Sequence, residues 1–452
     1  MGRAGSVCLL LMMACEGGSI TGTRRDAAPD ADAAPGDADG APDADGAPDA
    51  DAAPPTGAMT VRVSMAGVPV AGATVVFQSA GGTTLAVEET DAAGEAFGEV
   101  ASGAQVTTAF TLAQDYYFTV TGVEPGEIVR IDPAAMTGGD AGTLAVSANA
   151  GMAGATSFVA ETCREDSVLP SIKVPTTIPL PTGCLDGDGE FDLLVRALDA
   201  TGTTIGYRSA VDLMPDADMA TDVVLPKPWR TDLTPATVSI SNAPPFATQV
   251  SGAALALRGG LPYDLGVKAA ASPGPGLAAF AIPVPGTFAE RVILSAAAGD
   301  GEVAAVFRSE QAAPGTLVVD GAADLLPVPA AIEASATGEG LLVTWDSVAP
   351  AADLQTVLIT YADGDATRVW ALVAPPGSHS VTLPDLPAPL VAPAPTLATI
   401  QTIVVAAIDT SLVADYAAAR TERPAFVFPA MAGYVAGALD YTVALSYRIA
   451  TP

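Results

Sequence analysis

Gly67–Gln78 reads GVPVAGATVVFQ. A Val-Pro-Val opening, a Gly-containing turn and a run of β-branched residues closing on Phe77 describe a turn followed by a strand. The flanks agree with that reading. Thr60–Met65 (TVRVSM) alternates, so Val61, Val63 and Met65 share one side and polar residues the other, the pattern of a half-buried strand. Glu89–Val100 (ETDAAGEAFGEV) sets a tight turn at Asp91–Gly94 between two further strands.

Composition extends this locally β-type reading to the whole chain. The 452 residues suit two to four domains. Half are hydrophobic, aromatics are only 5%, and Gly (45) and Pro (38) are abundant, which favours many short strands joined by turns. The 51 acidic residues against 19 Lys and Arg give a net charge of −32, a field that repels phosphate backbones and argues against nucleic-acid binding.

Around the opening stretch, PVAGATVVF followed by TDAAGEA resembles the bacterial Ig-like and carboxypeptidase-regulatory (transthyretin-like) β-sandwich modules over residues 58–110. In those families the motifs are strand and hairpin signatures, so the resemblance implies a sandwich and nothing catalytic. Next, DYYFTVTGV and EIVRIDP read as two strands about the Pro125-Gly126 turn. Tyr116 and Phe118 fall on one face of the first, which the alternation assigns to the core rather than to an aromatic ligand platform.

The end of the chain carries a second resemblance. Residues 331–350 (AIEASATGEGLLVTWDSVAP), 355–373 and 379–387 are similar to a fibronectin type III domain. Trp345 takes the family's second-strand Trp, Tyr361 its third-strand Tyr, and Thr382-Leu383-Pro384 with Leu386-Pro387 its later turn; the corner Tyr is missing. The tail YVAGALDYTVALSYRI adds one or two strands, which either complete this last sandwich or pair with the preceding module. IVVAAI (403–408) is too short to span a bilayer and reads as a buried strand. Between the two resemblances, GEFDLLVRALDATGTTIGYRSAVDL predicts a long hairpin. Phe191, Leu193, Val195 and Ala197 face inward, the chain turns at Asp199–Gly202, and Ile205 and Tyr207 return. ATVSI, AAFAIPV, ERVILSA and EVAAVF describe one more β module.

The fold expectation is therefore all-β: tandem Ig-like and fibronectin-like β-sandwich domains behind a disordered acidic tether. Its segments are 1–14, a signal peptide; 15–57, Cys15 plus tether; 58–150, a first sandwich; 151–245, a disulfide-containing β domain; 246–328, a β module; and 329–452, the fibronectin-like domain with extra strands.

The first fifteen residues, MGRAGSVCLLLMMAC, place Arg3 before a short apolar run of export-signal size. Ala14-Cys15 resembles the lipobox of bacterial lipoproteins, which implies cleavage before Cys15 and a lipid on its thiol; an ordinary signal peptide and a secreted protein is the alternative. Asp37–Pro54 (DADGAPDADGAPDADAAP) lacks a closing Glu and any apolar residue larger than Ala, so it reads as an extended tether rather than a calcium array. Cys163 and Cys184 remain, and in an exported chain with no CxxC and one His they are expected to pair as a disulfide rather than hold zinc. Just beyond lies CLDGDGEFD, in which Asp186, Asp188, Glu190 and Asp192 form either a weak calcium site or a solvated turn. No other cofactor is expected.

Chemistry is sparse. The only imidazole, His379, sits in a Pro/Gly-rich turn, no GxSxG, HExxH, P-loop or GxGxxG motif occurs, and there are three lysines. The functional expectation is a non-catalytic cell-envelope lipoprotein, on the outer membrane or cell surface. It would act as a binding or adhesion scaffold for a glycan, peptide or envelope protein. The alternatives are a secreted carbohydrate-active enzyme and a structural envelope protein.

Overall fold

The computed structural model describes residues 56–450, apart from 66–67, 112–114, 133–139, 164–165, 170, 182–183, 187, 217–219, 338–339, 347–351, 365, 385, 388–389, 391–394 and 423–441. Cys15 and the acidic repeat lie outside the described residues. Among the described residues the chain is all-β but for one short helix.

The opening stretch belongs to a sandwich built from β1 (Thr56–Met65), β2 (Val68–Pro69), β3 (Thr74–Gln78), β4 (Thr84–Glu89), β5 (Glu95–Ala101), β6 (Ala104–Thr111), β7 (Asp115–Val123) and β8 (Ile128–Ile131). β1 runs antiparallel to β5 and parallel to β8, and the facing layer is β4-β3-β6-β7. Val61, Val63, Phe77, Val106 and Phe118 fill the space between the layers. Gly98 on β5 admits the Phe77 ring, since a Cβ there would sit 2.5 Å from it.

The second module comprises β9 (Asp140–Ser147), β10 (Ser157–Glu161), β11 (Asp166–Leu169), β12 (Thr176–Pro181), β13 (Phe191–Leu198), β14 (Thr204–Leu213) and β15 (Thr221–Val224). The third comprises β16 (Leu233–Ser241), β17 (Gln249–Arg258), β18 (Leu261–Ala271), β19 (Leu277–Pro285), β20 (Arg291–Gly299), β21 (Val303–Ala312) and β22 (Thr316–Asp320). Both repeat the topology of the first once its two-residue β2 is set aside, so that β5 counts as its fourth strand. The opening strand pairs antiparallel with the fourth and parallel with the last (β12-β9-β15 and β19-β16-β22). The other four make the facing layer (β11-β10-β13-β14 and β18-β17-β20-β21). Three sandwiches of one topology thus stand in tandem.

The fourth module differs. β23 (Ala330–Thr337), β24 (Gly340–Asp346) and β27 (Ser380–Leu383) form one sheet. β25 (Leu354–Asp363), β26 (Ala366–Ala374), β28 (Ile400–Thr410) and, after helix α1 (Tyr416–Glu422), β29 (Thr442–Ala450) form the other, in the order β26-β25-β28-β29. Three strands face four in a two-layer sandwich. Trp345 and Tyr361 are both buried in its core.

The modules are fused through their edges. β29 pairs with β28 on one side and with β21 of the third module on the other, so the tail does both of the things its sequence allowed. β26 pairs in parallel with β7, joining the fourth module to the first. One sheet of twelve strands results, β18-β17-β20-β21-β29-β28-β25-β26-β7-β6-β3-β4.

Two face assignments differ from the alternation along the chain. Phe118 is buried inside the first sandwich, but Tyr117 on the opposite face is buried too, against Trp370 at 5.5 Å between ring centroids. In the long hairpin, Phe191, Leu193, Val195 and Ala197 are buried as expected, yet Tyr207 pairs with Arg196 and lies on the other face. A bulge between Ala197 and Leu198 shifts the register by one residue, which exchanges the faces of the returning strand.

Candidate functional site

Cys163 and Cys184 are joined by a disulfide with their Cα atoms 5.2 Å apart. The bridge ties the end of β10 to the turn that precedes β13, and that turn carries the acidic run. Asp186 accepts the amides of Asp188 and Glu190 at 3.0 and 2.9 Å, its own amide bonds the Glu190 carbonyl, and Gly189 takes φ of +80°. Two other hairpins use the same device. Asp91 accepts from Ala93 and Glu95 with Gly94 at +75°, and Asp199 from Thr201 and Thr203 with Gly202 at +77°. In each, a short carboxylate caps the turn amides and a glycine supplies the left-handed residue that an L side chain resists.

Three of the four acids of CLDGDGEFD are engaged separately or face solvent. Asp186 is committed to backbone amides, and Asp188 is exposed. Asp192 holds the Arg258 guanidinium at 2.8 Å and accepts the Asp212 amide at 2.9 Å. Among the described residues, no three His, Cys, Asp or Glu side chains are grouped so as to hold a metal ion.

What three of these acids do line is a small cleft between the second and third modules, of about 100 Å³ and open to solvent. Asp186, Glu190, Asp192 and Asp212 come from the second module; Arg258 and Glu290 come from the third. Desolvation, then the neighbouring acids Asp186, Asp212, Asp188 and Asp192, raises the Glu190 carboxyl above its ordinary value. Desolvation also raises Asp192, outweighing the Asp212 amide and Arg258. Asp212 itself adopts φ of +55° where β14 bulges opposite Asp192. Asp212, Arg258 and Glu290 were not singled out in sequence, because nothing local to them signals that the modules meet there.

Beneath the cleft the two modules share one hydrophobic core. A polar seam crosses it. Arg196 and Glu161, both buried, pair with each other and face the bulged edge of β18. Arg196 donates to the Leu265 carbonyl at 3.0 Å, and Glu161 accepts the Asp264 amide at 3.1 Å. Tyr207 bonds Asp232 at 3.1 Å and Thr287 at 2.6 Å across the same seam. His379 is exposed in its turn, and its carbonyl accepts the Trp345 amide at 2.9 Å.

No family model matches the chain, and no curated protein matches it. Among solved structures, the TIE protein of Bacillus anthracis is similar at 9% identity and a TM-score of 0.17, covering 59% of this chain and 50% of that one. The chain thus spans half the length of that protein. A DUF3823 family protein from Parabacteroides merdae is similar at 8% identity, covering 55% of this chain and 92% of its own, with a TM-score of 0.14. The chicken CNTN1 FN1–FN3 domains are similar at 11% identity, covering 68% and 88%, with a TM-score of 0.13. Similarities this weak say nothing about activity.

Proposed function

We propose that this chain is a non-catalytic, lipid-anchored protein of the bacterial cell envelope that displays a binding or adhesion surface. The order of its parts carries the reading: a lipobox-like Cys15, an acidic Asp/Ala/Pro repeat, then a β body entered at β1. Like charges and prolines stretch such a repeat, which holds the body away from the anchoring surface. The ligand would be a glycan, a peptide or another envelope protein, gripped by inter-strand loops. The cleft supports a role in binding over one in catalysis, since Asp192 is already engaged by Arg258 and an amide.

Fractionation of wild type against Cys15→Ala tests the anchor. Wild type is expected in the membrane fraction and labelled by a lipid precursor, the variant soluble and unlabelled; equal solubility without label in both would defeat the proposal. The acidic cleft also favours a second reading, hydrolysis of a polysaccharide with Glu190 as the acid. Turnover of any member of a polysaccharide panel that is abolished by Glu190→Gln would establish it instead.

A further inference from the structure

Four guanidinium groups lie over aromatic rings among the described residues, and a carboxylate completes three of these contacts. Arg258 over Phe288 is held by Asp192, Arg420 over Tyr416 by Glu127, and Arg230 over Tyr207 by Asp232. Arg208 is the exception. It lies over the Trp229 ring at 4.6 Å, is only 3% exposed, and its Nε and Nη1 have no hydrogen-bond partner. Burial pulls the guanidinium below its ordinary pKa, and no carboxylate opposes that shift. A buried charge without a partner costs stability, and in a chain with 51 acids to 19 basic residues partners are not scarce.

Arg208 opposes Val195, so it lies on the inner face of β14, the outermost strand of its layer. Its roof is the linker of residues 225–232 between β15 and β16. Leu225 is anchored to the Ser147 carbonyl at 2.9 Å, and Arg230 exchanges backbone hydrogen bonds with Tyr207 at 2.9 and 3.0 Å. Between those anchors, among the described residues, only the Trp229 indole bonds the rest of the module, donating to the Ala150 carbonyl at 2.9 Å. Pro226, Lys227 and Pro228 are exposed, while Trp229 and Phe158 are half-buried with ring centroids 5.4 Å apart.

We propose that Arg208, roofed by Trp229, is the binding site for the carboxylate of an acidic saccharide. Guanidinium donors point within the plane of the group, so a ring over its face leaves the edge for an oxyanion. A ligand carboxylate there completes the arrangement that Asp192, Glu127 and Asp232 complete elsewhere. Trp229 and Phe158 offer ring faces to the apolar side of a sugar, and exposed Lys227 adds a cation against the overall negative field. Entry requires the 226–229 stretch to lift, which breaks the single indole bond and frees donors that the closed roof leaves bare. The site rests on the reading of the chain as a binding scaffold but not on the anchor at Cys15, so fractionation and ligand binding fail separately.

The test titrates the full chain, isotope-labelled at its three tryptophans, with trigalacturonate and with the neutral galactose trisaccharide, and follows the indole N–H signals. Trp229→Phe assigns the Trp229 signal. Trigalacturonate is expected to shift that signal saturably, to leave buried Trp345 and Trp370 in place, and to bind about tenfold or more tighter than the neutral sugar. Arg208→Met should remove that preference while the Trp345 and Trp370 signals stay native. Should that variant not fold, Arg208→Lys keeps the charge without the planar fork and should weaken uronate binding several-fold. No saturable shift at Trp229, equal binding of the two sugars, or undiminished uronate binding by the folded Arg208 variant overturns the site. A response to a peptide with a free C-terminal carboxylate but none to the uronate overturns the saccharide assignment.

Discussion

The first module meets the fourth in one way, and the second meets the third in another. The first–fourth joint adds a backbone ladder to a shared apolar core: β7 and β26 pair in parallel from Tyr116–Val369 to Val120–Val373, and Ala371, Val373 and Ile408 join the core of the first module. Polar side chains reinforce it. Trp370 donates to Thr119 at 2.9 Å, and α1 adds Tyr416 to the Thr121 carbonyl at 2.7 Å and Arg420 to Glu127. Burial pushes the Tyr416 phenol up, so it stays a donor at any ordinary pH. Among the described residues the second–third joint has no shared ladder, and it rests on a common core pierced by specific polar pairs. A ladder tolerates changes of side chain, whereas a buried ion pair does not tolerate the loss of one member.

The largest expected effect tests that contrast. Arg196→Ala leaves the Glu161 charge buried and should cost about 3–5 kcal/mol in urea unfolding. Replacing both members by apolar residues of like volume should cost far less; an equal loss would mean that the pair itself supplies the stability. Second, removing the Cys163–Cys184 bridge by paired Ala substitution should cost about 3 kcal/mol on the chain-entropy model and loosen the turn lining the cleft. Thermal melts with and without reductant would read it.

A smaller loss is expected at the backbone joint. Thr119→Val removes the acceptor of the Trp370 indole and should cost about 1–3 kcal/mol. If it equals Arg196→Ala in the same urea titration, the contrast between the two joints fails. The least effect belongs to the hairpin turns. The Thr201 hydroxyl and the Thr203 and Thr201 amides lower the Asp199 carboxyl. Its contribution is therefore complete above the ordinary carboxylate range and lost as pH falls through the lowered value. Amide shifts of Thr201 and Thr203 followed into acid should report that loss, and Asp199→Ala should abolish the titration without unfolding the module.

Much of this was legible along the chain. Val61, Val63, Phe77, Phe118, Leu193 and Val195 alternate because one face of each strand is buried, and all six are in the core. Asp91 and Asp199 announced their turns because a carboxylate two residues ahead of a free amide, with glycine next, closes a hairpin locally. The cleft was only half legible. Asp186, Glu190 and Asp192 stood out as a run, but their partner Arg258 lies on another module with nothing beside it to suggest an acid.

The sequence by itself determined an all-β chain, its hairpins and its buried faces, because period-two alternation and turn chemistry are local. Only the tertiary structure decided that β29 closes two modules at once, that β7 pairs with β26, and that Glu161 and Arg196 cap the edge of β18. Strand edges join through main-chain N–H and C=O groups that every residue but proline carries. Which edge finds which is written in no side-chain pattern and emerges only when the layers pack.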